Sequence, residues 1–301
     1  MDDKVPQRKW RQVGTIARWV SWFLLLVLVI QQVWRPYRME AARSNVMEQL
    51  QRERKSRVIA MIHREDVVSV LGIPVSRYIT MMDSEAILRA IRLTPAEEPI
   101  DLILHTPGGM ELAAEQIARA LADRKGPVTV IVPHYAMSGG TLIALAADKI
   151  VMDPNAVLGP VDPQIGGMPA ASILKAVATK PRAHVGDQTL ILADIAAKAQ
   201  AQMAALLTEI LQKHFPKERS ATLALLLSDG RWTHDFPITV QAAREIGLPV
   251  STDVPDLVYE LMALHPQGQA LRPSVMYVPF RPIPQEGPSR RSSEMVPDAP
   301  K

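Results

Sequence analysis

Apolar positions along this chain follow two rhythms. Short, mostly apolar runs at 57–63, 100–105, 128–132 and 149–152 alternate with stretches at 83–93, 112–124 and 138–147 where apolar residues recur every three or four places. The runs read as strands covered on both faces, and the periodic stretches as helices about three turns long. Their alternation predicts an α/β core built on parallel strands. Asp83 is placed to cap the helix that runs to Leu93, with Glu85 adding negative charge to its first turn. Gly126-Pro127 stops one helix and sets up the next strand. After Asp153 the rhythm breaks, and 153–170 (DPNAVLGPVDPQIGGMPA) reads as an irregular loop crossing the core. A helix at 170–180 follows, stopped by Pro181, then a long alanine-rich helix at 189–214. Gly230 breaks the chain, 231–237 is irregular, and a last helix at 239–246 ends at Gly247.

The N-terminal part has a different character. The run 20–30 (VSWFLLLVLVI), with flanks from about 13 to 34, is long enough for the roughly 20 apolar residues of a membrane span. Trp19, Trp22 and Trp34 bracket it, as suits the two interfaces. No small-residue cleavage site follows Ile30, so a retained anchor is preferred to a cleaved signal. Five basic residues precede the core (Lys4, Arg8, Lys9, Arg11, Arg18) and five follow it (Arg35, Arg38, Arg43, Arg52, Arg54), so the positive-inside rule leaves the side of the C-terminal part undetermined. The chain divides into an N-terminal tail and transmembrane anchor at 1–37, an exposed linker helix at 38–57, a globular domain at 58–266 and a tail at 267–301. Eight prolines fall among the last 36 residues, and the tail reads as disordered.

Composition narrows the function. With 301 residues, 48% hydrophobic and 22% charged, the chain is ordinary globular material. A net charge of +3 without an aromatic-interleaved basic stripe argues against nucleic acid as a partner. Cysteine is absent, which excludes disulfides and thiol chemistry. There is no HExxH, P-loop or strand-following GxGxxG, so chemistry without metal or cofactor is expected.

The informative chemistry lies in two strand ends. HTPGG at 105–109 closes one strand with a glycine turn whose bare amides can hold an oxyanion. HYAMSGG at 134–140 closes the next with Ser138, at the start of a small-residue helix. Ser138 has two readings, an N-cap or a nucleophile, and a nucleophile needs a base to take its proton. Lys175 among apolar neighbours, and Lys180 at a helix end, are candidate bases. For each the plainer reading is a surface lysine. Asp162 in the crossing loop is a candidate to orient a base, bind a substrate amine or cap the loop. His134 and His105 stand at strand ends near the turn. His234-Asp235 is a polar pair among apolar helices, read as a local turn or a subunit contact.

Strand–TPGG–helix–strand–YAMSGG–helix resembles the ClpP/crotonase superfamily. Within it, the chain is most similar to membrane-anchored SppA-like serine peptidases and, closest, to the serine dehydrogenase proteinase family; 153–164 and GRWTHDFPIT at 230–239 add to the likeness. The resemblance spans roughly 58–266 and implies a ClpP/crotonase-like spiral of ββα units. It also implies Ser138 as nucleophile and Gly139 with Gly108 or Gly109 as oxyanion donors. The neighbouring peptidases use a lysine some forty to fifty residues beyond the serine. Lys175 and Lys180 fall just short of or at the start of that window and Lys198 beyond it; none sits in a matching motif. The function expected is a single-pass membrane serine endopeptidase acting on peptides or proteins, with homo-oligomers as in relatives of the fold. The alternatives are a scaffold that has lost its base and a crotonase-like acyl-CoA enzyme.

Overall fold

The computed structural model describes residues 7–63 and 78–265; the tail at 267–301 lies outside them. The chain opens with α1 (Gln7–Arg54), a single helix of 48 residues, about 72 Å at 1.5 Å per residue. The apolar run 20–30 and the linker at 38–54 are both parts of it. The elements that follow are β1 (Arg57–Ile62), α2 (Met81–Arg92), β2 (Ile100–His105), α3 (Glu111–Ala122), β3 (Val128–Val132), β4 (Tyr135–Ala136) and α4 (Gly139–Leu145). Then come β5 (Lys149–Met152), β6 (Val157–Leu158), β7 (Gln164–Ile165), β8 (Met168–Pro169), α5 (Ala170–Thr179) and α6 (Asp187–Leu211). The last elements are α7 (Lys217–Ser228), β9 (Ile238–Thr239), α8 (Val240–Glu245), β10 (Val250–Ser251) and α9 (Asp256–Ala263).

The main sheet has five strands in the order β1-β2-β3-β5-β10, all parallel. Alternate residues go to opposite faces. Leu102, Leu104, Val130, Val132, Ile150 and Met152 join a large core with Ile87 of α2, Ile117 of α3, Leu142 of α4 and Leu207 of α6. Val58, Ile103, Ile131 and Val151 face the other way, against Val46 and Leu50 of α1 and Val258 and Leu261 of α9. Both faces are therefore covered, which is why these strands are apolar on both sides, with Asp101 of β2 as the buried exception. The stretch after 38 is a docked helix, not a wholly exposed linker. Asp101 is buried beneath its end, paired with Arg54 and accepting from Ser56 Oγ at 2.6 Å.

A second, small sheet, β4-β6-β9, forms the layer that holds the site. Thr106 adds to it through a parallel bridge with Ala136. Main-sheet strand, small-sheet strand and helix thus succeed one another as ββα units, as at β3, β4 and α4. The crossing loop carries β6 and the hairpin β7–β8, more order than a loop reading implies. The helix expected to start at Asp83 starts earlier: Thr80 is its N-cap, and Asp83 returns the bond to the Thr80 amide in a reciprocal box.

Candidate active site

The small sheet explains how distant residues meet. β4 and β6 run parallel with Ala136 opposite Leu158, while β9 runs antiparallel with Ile238 opposite Leu158. The chain leaving Thr106, Ala136 and Leu158, and the chain arriving at Ile238, therefore share one edge. At that edge stand Gly108 and Gly109, Ser138, Asp162 and His234. A cavity of about 450 Å³ opens there, lined by Gly109, Glu111, Ser138, Gly139, Asp162 and His234 among others. Its apolar wall comes from Met110, Ala114, Leu142, Val161 and Met203.

Ser138 takes φ 51° and ψ −116°, a conformation a side-chain-bearing residue rarely adopts. It precedes α4 as the N-cap residue, but its hydroxyl makes no capping hydrogen bond. The capping reading of this serine therefore fails in its usual form, and the side chain faces the cavity. Thr141, one turn into α4, donates to Ala136 O at 2.8 Å and accepts from Gly159 N at 3.0 Å. It ties the serine turn to the loop that carries Asp162.

The glycine turn is locked from both sides. Ile79 N donates to Gly108 O at 2.7 Å and Met110 N to Ile79 O at 2.9 Å. In this parallel bridge the amide of Gly109 points away from Ile79. Gly108 has φ 103° and Gly109 φ 155°. A Cβ on Gly108 would lie 2.8 Å from Ser138 Cβ, and one on Gly109 would overlap the Ile79 backbone. The Gly108 amide is already engaged, donating to Thr106 Oγ1 at 3.2 Å. Among the described residues, the amides of Gly109 and Gly139 donate to no protein acceptor. Both residues line the cavity with Ser138.

Asp162 and His234, 72 residues apart, form a pair: His234 Nδ1 lies 2.7 Å from Asp162 Oδ1. Asp162 is 4% exposed. Its second oxygen accepts from Gln164 Nε2 at 2.6 Å. The loop holding His234 is braced by Trp232 and Phe236, whose rings stack at 5.1 Å, and by Phe236 N donating to Thr233 O at 2.9 Å. With Nδ1 committed to Asp162, Nε2 is the ring nitrogen left for chemistry.

The remaining candidates sit elsewhere. Lys175 is exposed on α5, whose buried positions are Ala170 and Ile173; two places beyond Ile173 is the opposite side of a helix. Lys180 follows the end of that helix and is also exposed, and Lys198 pairs with Asp194 on α6. No lysine lines the cavity among the described residues. His134 is exposed, and His105 is fully buried against the Tyr135 ring at 4.3 Å; neither lines the cavity. His234 is what the sequence reading placed in a local turn or a subunit contact. The signal was its polarity between apolar helices, together with an aspartate in the crossing loop.

One further cavity group has altered acidity. Partial burial, with the Glu115 charge one turn on, pushes the Glu111 carboxyl above its ordinary range.

The chain matches the model of the ClpP-like SDH-type serine proteinases over residues 10–292. It is 51% identical over 273 residues to an uncharacterised protein of Methanocaldococcus jannaschii, covering 91% of this chain and 95% of that one. A second uncharacterised protein of the same organism is 52% identical over 257 residues, 85% of this chain and 87% of the relative. Among solved structures, a mutant of the 1510-N membrane-bound stomatin-specific protease is similar at 24% identity and a TM-score of 0.41, over 62% of this chain and 79% of that one. Matched by its family model along nearly its whole length, the chain belongs to the ClpP-like SDH-type serine proteinases.

Proposed function

We propose that the protein is a membrane-anchored serine endopeptidase whose nucleophile is Ser138, with His234 as general base and Asp162 holding the imidazole. The observation that carries this reading is the His234–Asp162 pair at 2.7 Å in the cavity that Ser138 lines. Ser138 Oγ attacks the scissile carbonyl carbon as His234 Nε2 takes its proton. The carbonyl oxygen becomes an oxyanion, held by the amides of Gly109 and Gly139. His234 then gives the proton to the leaving amine, leaving an acyl ester on Ser138. Water, deprotonated by His234, hydrolyses that ester and restores the serine. Asp162 fixes the tautomer that leaves Nε2 free and stabilises the imidazolium that forms. His234 takes the place of the lysine expected as base, since Lys175 is exposed on α5 and does not line the cavity.

The apolar wall of Met110, Leu142 and Met203 suits an apolar side chain of an extended peptide. Membrane attachment rests on α1, which presents Trp19, Trp22, Phe23, Leu25 and Trp34 at its surface. Among the described residues α6 is the one helix found long and apolar enough by composition to cross a membrane, yet Met203, Leu206, Leu207, Ile210 and Leu211 are buried in the protein. The core helix reading suits α6 and the anchor reading suits α1.

Hydrolysis of a fluorogenic peptide library tests the assignment. Ser138→Ala, His234→Ala and Asp162→Asn should each lose on the order of 10³–10⁴-fold in kcat/KM, with Lys175→Ala within about twofold of the parent. Loss in Lys175→Ala with His234→Ala unaffected would return the base to the lysine.

A further inference from the structure

Asp162 is buried and has two carboxylate oxygens, and each meets a different partner. Oδ1 faces His234 Nδ1 at 2.7 Å, and Oδ2 accepts from Gln164 Nε2 at 2.6 Å. The same Gln164 nitrogen is 3.3 Å from His234 Nδ1. The amide therefore lies against both members of the pair. Turning it over would set its carbonyl oxygen against a carboxylate, so the nitrogen is the atom that belongs there.

We propose that Gln164 is a positioning residue, clamping the Asp162 carboxylate in the plane that presents His234 to Ser138. The proposal rests on the reading of His234 as base. A carboxylate held only by the imidazole can turn about its terminal torsion, which is broad and twofold. A second donor on the other oxygen removes that freedom and fixes the direction in which His234 points.

The backbone around Gln164 is built to hold such a clamp. Pro163 separates acceptor from donor and fixes its own φ. Gln164 opens β7, which pairs with β8 through Gln164 opposite Pro169 and Ile165 opposite Met168. Gly166 and Gly167, at φ 58° and 79°, make the tight turn between them. Ala170 N closes the hairpin by donating to Pro163 O at 2.9 Å. Ile165, next in the chain, packs into the cluster formed by Ala170, Ile173, Ala193 and Ala196 of α5 and α6. The clamp is thus seated on two helices.

The test measures the rate at which a fluorophosphonate probe labels the full-length protein, as a function of pH. Its rate reports the nucleophilicity of the serine without requiring a known substrate. In Gln164→Ala the plateau rate should fall about ten- to hundredfold, a part of what general base catalysis supplies. Gln164→Glu places a second carboxylate beside the imidazole. It should move the acidic limb of the profile about one pH unit upward, because added negative charge favours the protonated ring. Tyr78 and Glu111, the other titratable groups lining the cavity, and Asp235, beside His234 in the chain, are common to both variants; Glu111→Gln identifies any part of the limb that belongs to it.

Wild-type labelling by Gln164→Ala at every pH, with His234→Ala inactive, overturns the clamp and leaves the base assignment standing. Wild-type labelling by His234→Ala overturns both. If Gln164→Ala proves too unstable to interpret, Gln164→Met, which keeps the side chain's length without its donor, decides: a fallen plateau supports the clamp and a wild-type plateau contradicts it.

Discussion

Ser138 and Gly109 depend on each other through backbone geometry. The serine is held at a positive φ with an uncapped hydroxyl, and the glycine beside it occupies a place where any Cβ would overlap Ile79. Strain of this kind costs about 1–3 kcal/mol per residue and persists where surrounding contacts over-determine it. Here those contacts are the two hydrogen bonds from the Ile79 bridge and the Thr141 links to Ala136 and Gly159. Gly109→Ala should therefore lower stability by at least about 2 kcal/mol in chemical denaturation. The variant should also lose about 10²–10³-fold in turnover, because the displaced amide no longer meets the oxyanion. A variant as stable and as active as the parent would show that this turn tolerates a side chain, and would remove Gly109 from the donors.

At the scale of elements, polar pairs join helices to the sheet. Arg54, at the end of α1, pairs with buried Asp101 of β2, which also accepts from Ser56. Removing the cation leaves a carboxylate that is 2% exposed without its charged partner. Arg54→Met should cost about 3 kcal/mol of unfolding free energy; a change below about 0.5 kcal/mol would show the pair to be dispensable. Asp148, before β5, behaves differently. Burial alone would raise its carboxyl, but the Lys213 ammonium at 2.8 Å and the Val128 amide overcome this and hold it below the usual aspartate range. A lowered folded-state value means stability that is present above the unfolded value near 4 and is lost as pH falls through the folded one. Asp148→Asn should therefore lower the melting temperature at pH 7 and match the parent at pH about 2; equal loss at both would contradict the linkage. The same scale shows what the residues alone disclose. Strands buried on both faces announce themselves, and β2, β3 and β5 lie at the expected positions. By contrast, α7 buries Ser220 and Ser228 along with Leu223 and Leu227, so its apolar period is blurred. The eight-residue α9 is too short for a period to stand out, and tertiary packing on β1, β2, β3 and β5 makes it a helix. The serine and glycines of the proposed site stand out in the sequence because each sits just past its own strand. His234 was not, because its partner is 72 residues away and only the antiparallel β6–β9 pairing brings them together.

At the scale of the whole molecule, exposed apolar side chains on α1 and α6 bear on where the protein attaches and with what it associates. Removing residues 1–37 should release the protein from the membrane pellet into the soluble fraction without loss of fluorophosphonate labelling, because Val46 and Leu50, which pack on the sheet, are retained. Retention of the truncated chain in the pellet would place the anchor elsewhere. Ile191 and Ile195 on α6 are exposed at 60% and 42%, apolar surface suited to a second copy of the chain. Light scattering of detergent-solubilised protein should give an oligomer, and Ile191→Asp with Ile195→Asp should reduce it toward the monomer; an unchanged mass would clear this face of the role.

The central claim is that Ser138 is made nucleophilic by His234. Mass spectrometry of the fluorophosphonate adduct tests it most directly, by locating the modified residue in the parent and in His234→Ala. The account predicts a single adduct on Ser138 in the parent and none above background in the variant. An adduct on another residue, or equal modification of Ser138 without the histidine, would contradict it.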